Sequence, residues 1–334
     1  MLGARLEDVL HGAIAFGLPL ARPFRGITVR EGMLIEGPSG WGEFAPFDDY
    51  SDQAAGLWLH SAVEAAYGTW PTPGCASITV NAIIPEVVPD EVHALARAAV
   101  VDQGCTTIKV KVGESLADDE LRVGAIREIL DELLGRGVGA IRIDANGRWS
   151  ARQAVTALKH LSSFGLEYVE QPCMDPADIR SIRAQISVPI AVDEGIRGAL
   201  DPSGVDLQGI GDIAIIKAAP LGGVEMSLRV IANLGMPVVI SGSLDSSVGL
   251  GVATALASTL HLERASGLGT GALLADDLSL NPVQPVAGRV EVRRTWPDPA
   301  ALDRAAGRLS ESRKLWWRAR LIAAWEAKGE RLGG

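Results

Sequence analysis

Two short runs decide the fold, TTIKVKVG at residues 106–113 and AIRIDANG at residues 140–147. Each run alternates apolar and polar residues and ends at a glycine, as a β-strand does when it stops at a turn. The stretch between them contains LRVGAIREILDELL, in which apolar residues recur with helical spacing. A strand, a helix and a second strand in this order predict a βα unit with parallel strands.

The same alternation continues from about residue 77 to residue 280. The predicted strands are SITVNAII (77–84), TTIKVKV (106–112), AIRIDA (140–145), YVEQP (168–172), PIAVDE (189–194), IAIIKAA (213–219), PVVISGS (237–243) and GLGTGA (267–272). Eight strands that alternate with helical stretches indicate a closed α/β barrel rather than an open sheet.

The chain on either side of this region predicts a smaller α+β domain. Residues 1–76 indicate an antiparallel meander and then a helix, in ITVREGMLIEG (27–37), GWGEFAPF (40–47) and SDQAAGLWLHSAVEAAYG (51–68). The stretch FGLPLARPF (16–24) contains two prolines and is expected to be a loop. The tail, residues 281–334, predicts a short strand and a helix that pack back on the N-terminal domain.

Composition excludes several classes of protein. The 334 residues include 31 Lys+Arg and 41 Asp+Glu, and this net charge of −10 argues against binding to nucleic acid or anionic membranes. The 47% of apolar residues is typical of a globular protein and not of a disordered one. Neither a membrane-spanning run nor a signal pattern is found. Three scattered cysteines (Cys75, Cys105 and Cys173) predict a reduced, cytoplasmic location without a disulfide framework.

Charged residues stand at the predicted carboxyl ends of successive strands, where barrel enzymes collect their chemistry. The series is Lys111, Asp144, Glu170, Asp193 and Lys217, spaced by 23 to 33 residues, which is about one βα unit. Its three carboxylates form an oxygen-only set that suits a hard divalent cation such as Mg²⁺, and without a cation they would repel one another. Whether Mn²⁺ replaces Mg²⁺ is left open.

The two lysines of this series lie on opposite sides of the acids around the ring. A lysine near other cations has a lowered pKa and can act as a base near neutral pH. Together with a cation, Lys111 and Lys217 predict removal of a proton next to a carboxylate and stabilisation of the resulting enediolate. Lys109 also points into the barrel, and is expected to contact the substrate or to shape the field around Lys111.

The ordered set of motif residues resembles the enolase superfamily, in its muconate-lactonising subgroup. The resemblance extends over the whole chain. It implies a (β/α)7β TIM-like barrel at residues 77–280, an α+β capping domain at residues 1–76, and a C-terminal tail, residues 281–334, that completes the cap. A loop of such a cap closes over the barrel mouth.

Within the subgroup, SGSLDSSVGLG (241–251) is similar to the strand-seven segment of the o-succinylbenzoate synthases. This resemblance implies magnesium-dependent syn dehydration of 2-succinyl-6-hydroxy-2,4-cyclohexadiene-1-carboxylate, a small-molecule carboxylate, in menaquinone biosynthesis. Lys111 would remove the proton and return it to the leaving hydroxyl, and Lys217 would stabilise charge on the other face.

Further site residues are expected around this core. Ser241 and Gly242 are implied to bind the succinyl carboxylate, and Gly269 to bring a backbone amide near the substrate. Asn146 is expected either to orient a ligand or only to close its turn. Glu194 is expected to support the metal ligands rather than to bind the metal.

Alternatives remain open. An N-acylamino acid racemase, a dipeptide epimerase or a lactone-forming cycloisomerase of the same subgroup would use the same metal and lysine pair. Dipeptide epimerases carry Asp-x-Asp at strand eight, whereas Asp276 and Asp277 are adjacent and come later. A catalytically silent barrel that binds a carboxylate ligand is a different class, and retention of all five charged residues speaks against it. The sequence does not predict the oligomeric state.

Overall fold

The N-terminal segment forms an antiparallel sheet. The computed structural model describes residues 3–24, 26–199 and 201–329. The first elements are α1 (Leu6–His11), β1 (Ala13–Phe24), β2 (Ile27–Gly37), β3 (Gly40–Phe44) and α2 (Asp52–Tyr67). Strand β2 lies between β1 and β3 and pairs antiparallel with both, so the predicted meander is confirmed.

The predicted loop at residues 16–24 is wrong, because this stretch belongs to strand β1. It pairs with β2 as far as Pro19, and the register shifts between Pro19 and Phe24. Strand β1 is at the edge of its sheet, where the missing N–H of a proline is tolerated. The strand carries Phe24 to the barrel, where its ring centre lies 5.6 Å from Lys111 Nζ.

Parallel strands separated by helices make up the barrel. Strand β4 (Ser77–Thr79) comes first and lies outside the parallel sheet, so the strand predicted at residues 77–84 is split in two. The parallel strands are β5 (Ala82–Ile84), β6 (Thr107–Lys111), β7 (Ala140–Asp144), β8 (Leu166–Glu170), β9 (Ile190–Val192), β10 (Ile213–Ile216) and β11 (Val238–Ile240). The helices are α3 (Pro89–Val101), α4 (Leu116–Leu134), α5 (Ala151–Leu161), α6 (Pro176–Arg183), α7 (Glu194–Arg197), α8 (Ala218–Leu221), α9 (Val224–Leu234) and α10 (Ser247–Ser258). Strands β5 to β11 lie side by side in chain order, which confirms the predicted α/β class.

Single backbone bridges join the two edges of this sheet. Ser241 at the end of β11 bridges Gly267, and Ser266 bridges Val80. The strand predicted at residues 267–272 is wrong beyond Gly267, because Gly269–Leu273 is a turn of 3₁₀ helix. This segment is rich in glycine, which has little preference for a strand.

The C-terminal tail contacts both parts of the molecule. Strand β12 (Arg289–Glu291) pairs antiparallel with β4. Helices α11 (Pro299–Gly307) and α12 (Glu311–Gly329) pack against β1 and α2. We call the N-terminal sheet, the helices α1, α2, α11 and α12, and the loops that connect these elements the cap. Among the described residues, every helix is too short or too polar to span a bilayer.

Arg142 on β7 ties the barrel together near these bridges. Its side chain is fully buried, and its Nη1 donates to Asn81 Oδ1 at 2.8 Å and to the Ala265 carbonyl at 2.7 Å. Its Nε donates to Glu167 at 2.6 Å, and the guanidinium lies 4.8 Å from the centre of the Tyr168 ring. The arginine therefore links β7 to β8, to Asn81 and to Ala265, which directly precedes the bridging residues Ser266 and Gly267.

We expect Arg142→Met to lower the free energy of unfolding by about 3 kcal/mol, because it leaves buried acceptors without their donor. Urea denaturation measures the loss. The control is Arg183→Met, which removes the half-exposed Arg183–Asp212 pair and should cost less than about 1 kcal/mol. Equal losses in the two variants would contradict a special role for Arg142.

Candidate active site

The register of the strands brings the predicted site residues to one end of the barrel. Lys111, the last residue of β6, pairs with Asp144 at the end of β7, and Asp144 pairs with Glu170 at the end of β8. Asp193 directly follows β9, and Lys217 directly follows β10. All five residues therefore lie at the carboxyl ends of neighbouring parallel strands, as their spacing predicts.

Each of the three carboxylates pairs with a lysine. Lys109 Nζ lies 2.7 Å from Glu170 Oε1 and 3.0 Å from Asp144 Oδ2, and Lys111 Nζ lies 2.6 Å from the same Asp144 oxygen. Beyond Glu170 in strand order, Lys217 Nζ lies 2.6 Å from Asp193 Oδ2. These side chains are at most 11% exposed, so their charges interact more strongly than they would in water.

Burial and ion pairing act against each other at these groups. Burial opposes ionisation of Asp144, but the ammonium groups of Lys109 and Lys111 outweigh it and hold the pKa of Asp144 well below its usual value. Burial likewise opposes charge on Lys109, yet the carboxylates of Asp144 and Glu170 raise its pKa above the ordinary lysine value. The ammonium of Lys109 and the carboxylate of Asp144 therefore both stay charged near neutral pH.

Glu170 is the acid that this arrangement satisfies least. Burial, and after it the neighbouring charge of Asp144, raise the pKa of Glu170 to about 7. Its Oε2 atom is buried and has no hydrogen-bond partner in the described chain. A buried carboxylate oxygen without a partner, beside two further carboxylates, is what a hard divalent cation would satisfy. By donor type, the three acids fit such a cation.

The carboxylates of Asp144, Glu170 and Asp193 do not meet at one point in this structure. Within the described residues, no three His, Cys, Asp or Glu side chains are grouped closely enough to hold a metal ion. The pairs with lysine give the physical reason, because Lys109 contacts both Asp144 and Glu170 while Lys217 contacts Asp193. Metal binding by these acids stays a prediction.

The side chain of Asn146 lies between two residues of the site, Lys111 and Glu194. Its backbone has φ +47°, as expected of the residue that closes the turn, and its Oδ1 accepts a hydrogen bond from Lys111 at 2.6 Å. Its Nδ2 donates to Glu194 Oε1 at 3.0 Å. The same glutamate oxygen accepts from Arg197 at 2.6 Å, and Arg197 also donates to Asp193 at 3.1 Å. Glu194 therefore contacts residues that hold the lysine and the acid in place, and its role towards a metal stays a prediction.

The backbone around the predicted substrate contacts is already hydrogen-bonded. The Ser241 amide donates to the Ile216 carbonyl of β10 at 2.8 Å, and the Gly242 amide donates to the Gly267 carbonyl at 3.0 Å. Among the described residues, the Ser241 hydroxyl makes only long hydrogen bonds, of 3.3 and 3.5 Å, and is the group that this pair can offer to a ligand. At Gly269, an added Cβ would lie 2.5 Å from the Asn81 carbonyl oxygen, so close packing accounts for the glycine. Substrate binding at these positions stays a prediction.

Two groups that orient the Asp193 turn were missed by sequence reasoning. Gln171 is fully buried, and its Oε1 accepts from the amides of Asp193 at 3.0 Å and Gly195 at 3.2 Å. Its position directly after a strand-end acid was the available signal. The Tyr50 hydroxyl in the cap accepts from Arg197 across 147 residues of chain, and no local pattern predicts that contact.

A cavity of about 590 Å³ opens between the cap and the barrel, within the size range of ligand pockets. Its cap side includes Phe47, Arg313 and Trp317, and its barrel side includes Asn146 and Arg148. The lysine–carboxylate pairs are buried in the barrel and do not line it.

Two family models match the sequence. The model described as enolase N-terminal domain-like matches residues 15–66, and the one described as enolase C-terminal domain-like matches residues 91–297. An o-succinylbenzoate synthase of Mycolicibacterium smegmatis is 45% identical over 324 residues, covering 95% of this chain and 96% of that protein. One of Mycobacterium tuberculosis is 44% identical over 326 residues, covering 96% of this chain and 95% of that protein.

Solved structures share the fold at low sequence identity. A muconate lactonizing enzyme from Pseudomonas fluorescens matches with a TM-score of 0.73 and 19% identity, over 88% of this chain and 97% of that one. The L-Ala-D/L-Glu epimerase of Bacillus subtilis matches with a TM-score of 0.69 and 20% identity, over 85% of this chain and 96% of that one. These structural matches bear on architecture alone.

Proposed function

Because the chain belongs to the o-succinylbenzoate synthase family of the enolase superfamily, in its muconate-lactonising subgroup, we propose that it dehydrates 2-succinyl-6-hydroxy-2,4-cyclohexadiene-1-carboxylate to 2-succinylbenzoate. The reaction makes it a carbon–oxygen lyase with a small-molecule substrate, in menaquinone biosynthesis. The relatives named above match over nearly their whole length, which supports the same reaction here. The residue roles given below are proposals.

The roles proposed for these residues rest on one observation. Lys111 and Lys217 lie at the carboxyl ends of strands on either side of the strands that bear the three acids. A substrate carboxylate placed at the acids would then have an ammonium or amine group on each side. Removal of a proton beside a carboxylate needs a base on one face and positive charge around the carboxylate oxygens. The arrangement offers both.

Lys111 is the proposed base and acid. Its Nζ is held from two sides, by Asp144 Oδ2 and by Asn146 Oδ1, each at 2.6 Å. As the free amine it takes the proton from the carbon beside the carboxylate, and the C–H electron pair moves into the carboxylate to give an enediolate. As the ammonium it then gives that proton to the leaving hydroxyl. The C–O bond breaks with loss of water, the electron pair returns to the ring, and the ring becomes aromatic.

Lys217 and Lys109 are proposed to act through their charge. Lys217 is held by Asp193 and places its ammonium on the opposite side of the site from Lys111, where it stabilises the negative enediolate. Lys109 stays charged between Asp144 and Glu170 and holds both side chains in position. A single group that both removes and returns the proton works on one face of the ring, which makes the elimination syn.

Asp144, Glu170 and Asp193 are the residues that would hold a divalent cation, which we propose to be Mg²⁺, with Mn²⁺ as the alternative. The family is typically metal-dependent. When bound, the cation supplies positive charge to the substrate carboxylate as negative charge develops there. The Oε2 of Glu170, which has no hydrogen-bond partner among the described residues, supports this assignment.

The acids Asp276 and Asp277 bear on the alternative reactions. Asp276 pairs with Arg308 at 2.6 Å, and Asp277 accepts from the amide and hydroxyl of Ser247 at 3.2 and 2.9 Å. Both carboxylates are thus used to join the turn at residues 276–277 to the end of α11 and the start of α10. This disfavours a dipeptide epimerase, in which such acids would grip the amino group of the substrate.

The test is direct conversion of the cyclohexadiene carboxylate by the purified protein with Mg²⁺, followed by the absorbance of the aromatic product. We expect fast conversion that EDTA abolishes and added Mg²⁺ restores. Absence of conversion, together with α-proton exchange in D₂O on N-acylamino acids, would contradict the dehydratase proposal and favour the racemase alternative.

A further inference from the structure

A buried arginine of the cap contacts the loop between β11 and α10, residues 241–246, which we call the β11–α10 loop. Arg30 on β2 is 2% exposed. Its Nε donates to the Leu244 carbonyl at 2.9 Å, and its Nη2 donates to the Ser243 carbonyl at 3.3 Å. The same Nη2 donates to the Ala45 carbonyl of the cap. One guanidinium therefore joins the cap to two successive peptide groups of this loop.

The loop contains one residue in an uncommon backbone conformation. Leu244 has φ +63°, a left-handed conformation that a leucine seldom adopts without support. Its side chain is 2% exposed, so burial fixes one side of the residue. The bond from Arg30 fixes the carbonyl on the other side. Without that donor, the peptide after Leu244 would lose its buried partner and the strained conformation one of its constraints.

The arginine itself is held rigidly. Its guanidinium lies 4.3 Å from the centre of the Phe47 ring and 5.9 Å from that of Trp58, both in the cap. Stacking on aromatic faces fixes the plane of the guanidinium, so the direction of its N–H groups is set by the cap. A lysine in the same place would keep the charge but not the paired, planar donors.

A second cap residue supports the same loop. Glu43 on β3 accepts from the amide of Ser246 at 3.1 Å and from its hydroxyl, at the start of α10. Within the loop, the Asp245 carboxylate accepts from the Ser243 amide at 2.7 Å. The cap thus contacts the loop at both ends of the Leu244 turn, and Arg30 is the contact at the end nearer to Ser241.

We propose that Arg30 is a positioning residue for substrate binding, which holds Ser243 and Leu244 so that the β11–α10 loop contacts the substrate in one conformation. The inference rests on the proposed function and on the prediction that Ser241 and Gly242 bind the succinyl carboxylate of the substrate. The cap then contributes to substrate binding through the backbone of the barrel and not by covering the mouth alone.

The test compares Arg30→Met with Arg294→Met. Arg294 also donates to a cap carbonyl, that of Ala65, and stacks on the rings of Trp70 and Trp296. Unlike Arg30, it makes no hydrogen bond to the β11–α10 loop in the described structure. We expect Arg30→Met to raise KM roughly tenfold with little change in kcat, the size expected from loss of one charge-assisted hydrogen bond. Arg294→Met should leave both constants unchanged and lower only Tm.

Two further readouts separate positioning from simple stabilisation. Without substrate, hydrogen exchange at residues 243–246 should be faster in Arg30→Met than in Arg294→Met at the same interval below Tm. Leu244→Gly adopts a positive φ without strain, so in that background Arg30→Met should raise KM by a smaller factor. If Arg30→Met does not fold, Arg30→Lys keeps the charge and should show the same rise in KM.

The outcomes are distinguishable. Unchanged KM and unchanged exchange in a folded Arg30 variant would overturn the positioning role. An identical KM effect with and without Leu244→Gly would overturn the proposed route through Leu244. If the wild-type protein does not convert the cyclohexadiene carboxylate, the proposed function fails, whereas the exchange comparison still decides whether Arg30 holds the loop.

Discussion

We expect Lys111→Ala to lower kcat for the cyclohexadiene carboxylate by about three to four orders of magnitude, the contribution of a positioned acid–base group. The variant has no group on that face to take the proton or to return it to the leaving hydroxyl. Because the lost interaction belongs to the transition state, kcat and kcat/KM should fall together while KM changes little. Steady-state kinetics with Mg²⁺ at saturation measures all three quantities.

The fold should survive this substitution. Asp144 keeps its pair with Lys109 at 3.0 Å, so the buried carboxylate is not left without a partner. Lys159→Ala, at an exposed position in the last turn of α5, is the matched control and should leave both rate and Tm unchanged. A rate for Lys111→Ala close to that of the wild type, in a protein of normal Tm, would show that another group is the base.

The second large effect is expected from Glu170→Gln. The amide keeps the size of the side chain but removes the charge from Glu170, whose Oε2 is buried and has no hydrogen-bond partner in the described chain. We expect loss of activity of about a thousandfold or more, as when charge stabilisation in the transition state is lost. We also expect loss of the stabilisation that Mg²⁺ gives to the wild type, which should be about 2.7 kcal/mol at a hundredfold excess over Kd.

The comparison of stability without Mg²⁺ is the more discriminating part of this experiment. Without Mg²⁺, Glu170→Gln should be as stable as the wild type or more so, because the substitution relieves a buried charge that lies beside two other carboxylates. Thermal unfolding with and without Mg²⁺ tests both statements. Glu225→Gln, an exposed position on α9, is the control and should keep the full response to Mg²⁺. A full Mg²⁺ response in Glu170→Gln would remove this residue from the ligand set.

Local sequence patterns predict the strand ends well because parallel strands repeat one geometry. Alternation along TTIKVKVG places Lys109 and Lys111 on one face, and the spacing of about one βα unit places Asp144 and the later charged residues at the same end. The observed register, with Lys111 opposite Asp144 and Asp144 opposite Glu170, follows from that repetition. The predictions failed where the repetition fails, in the glycine-rich segment after Gly267 and in the proline-containing edge strand β1.

What the sequence determined by itself is therefore the barrel, its order of strands and the set of charged residues at one end. The tertiary structure alone decided how those charges pair, and which cap residues meet the barrel. Arg30 and Leu244 are 214 residues apart, and Tyr50 and Arg197 are 147 apart. The physical reason is that periodicity records which face of an element is buried, whereas the partner on that face depends on how separate elements pack.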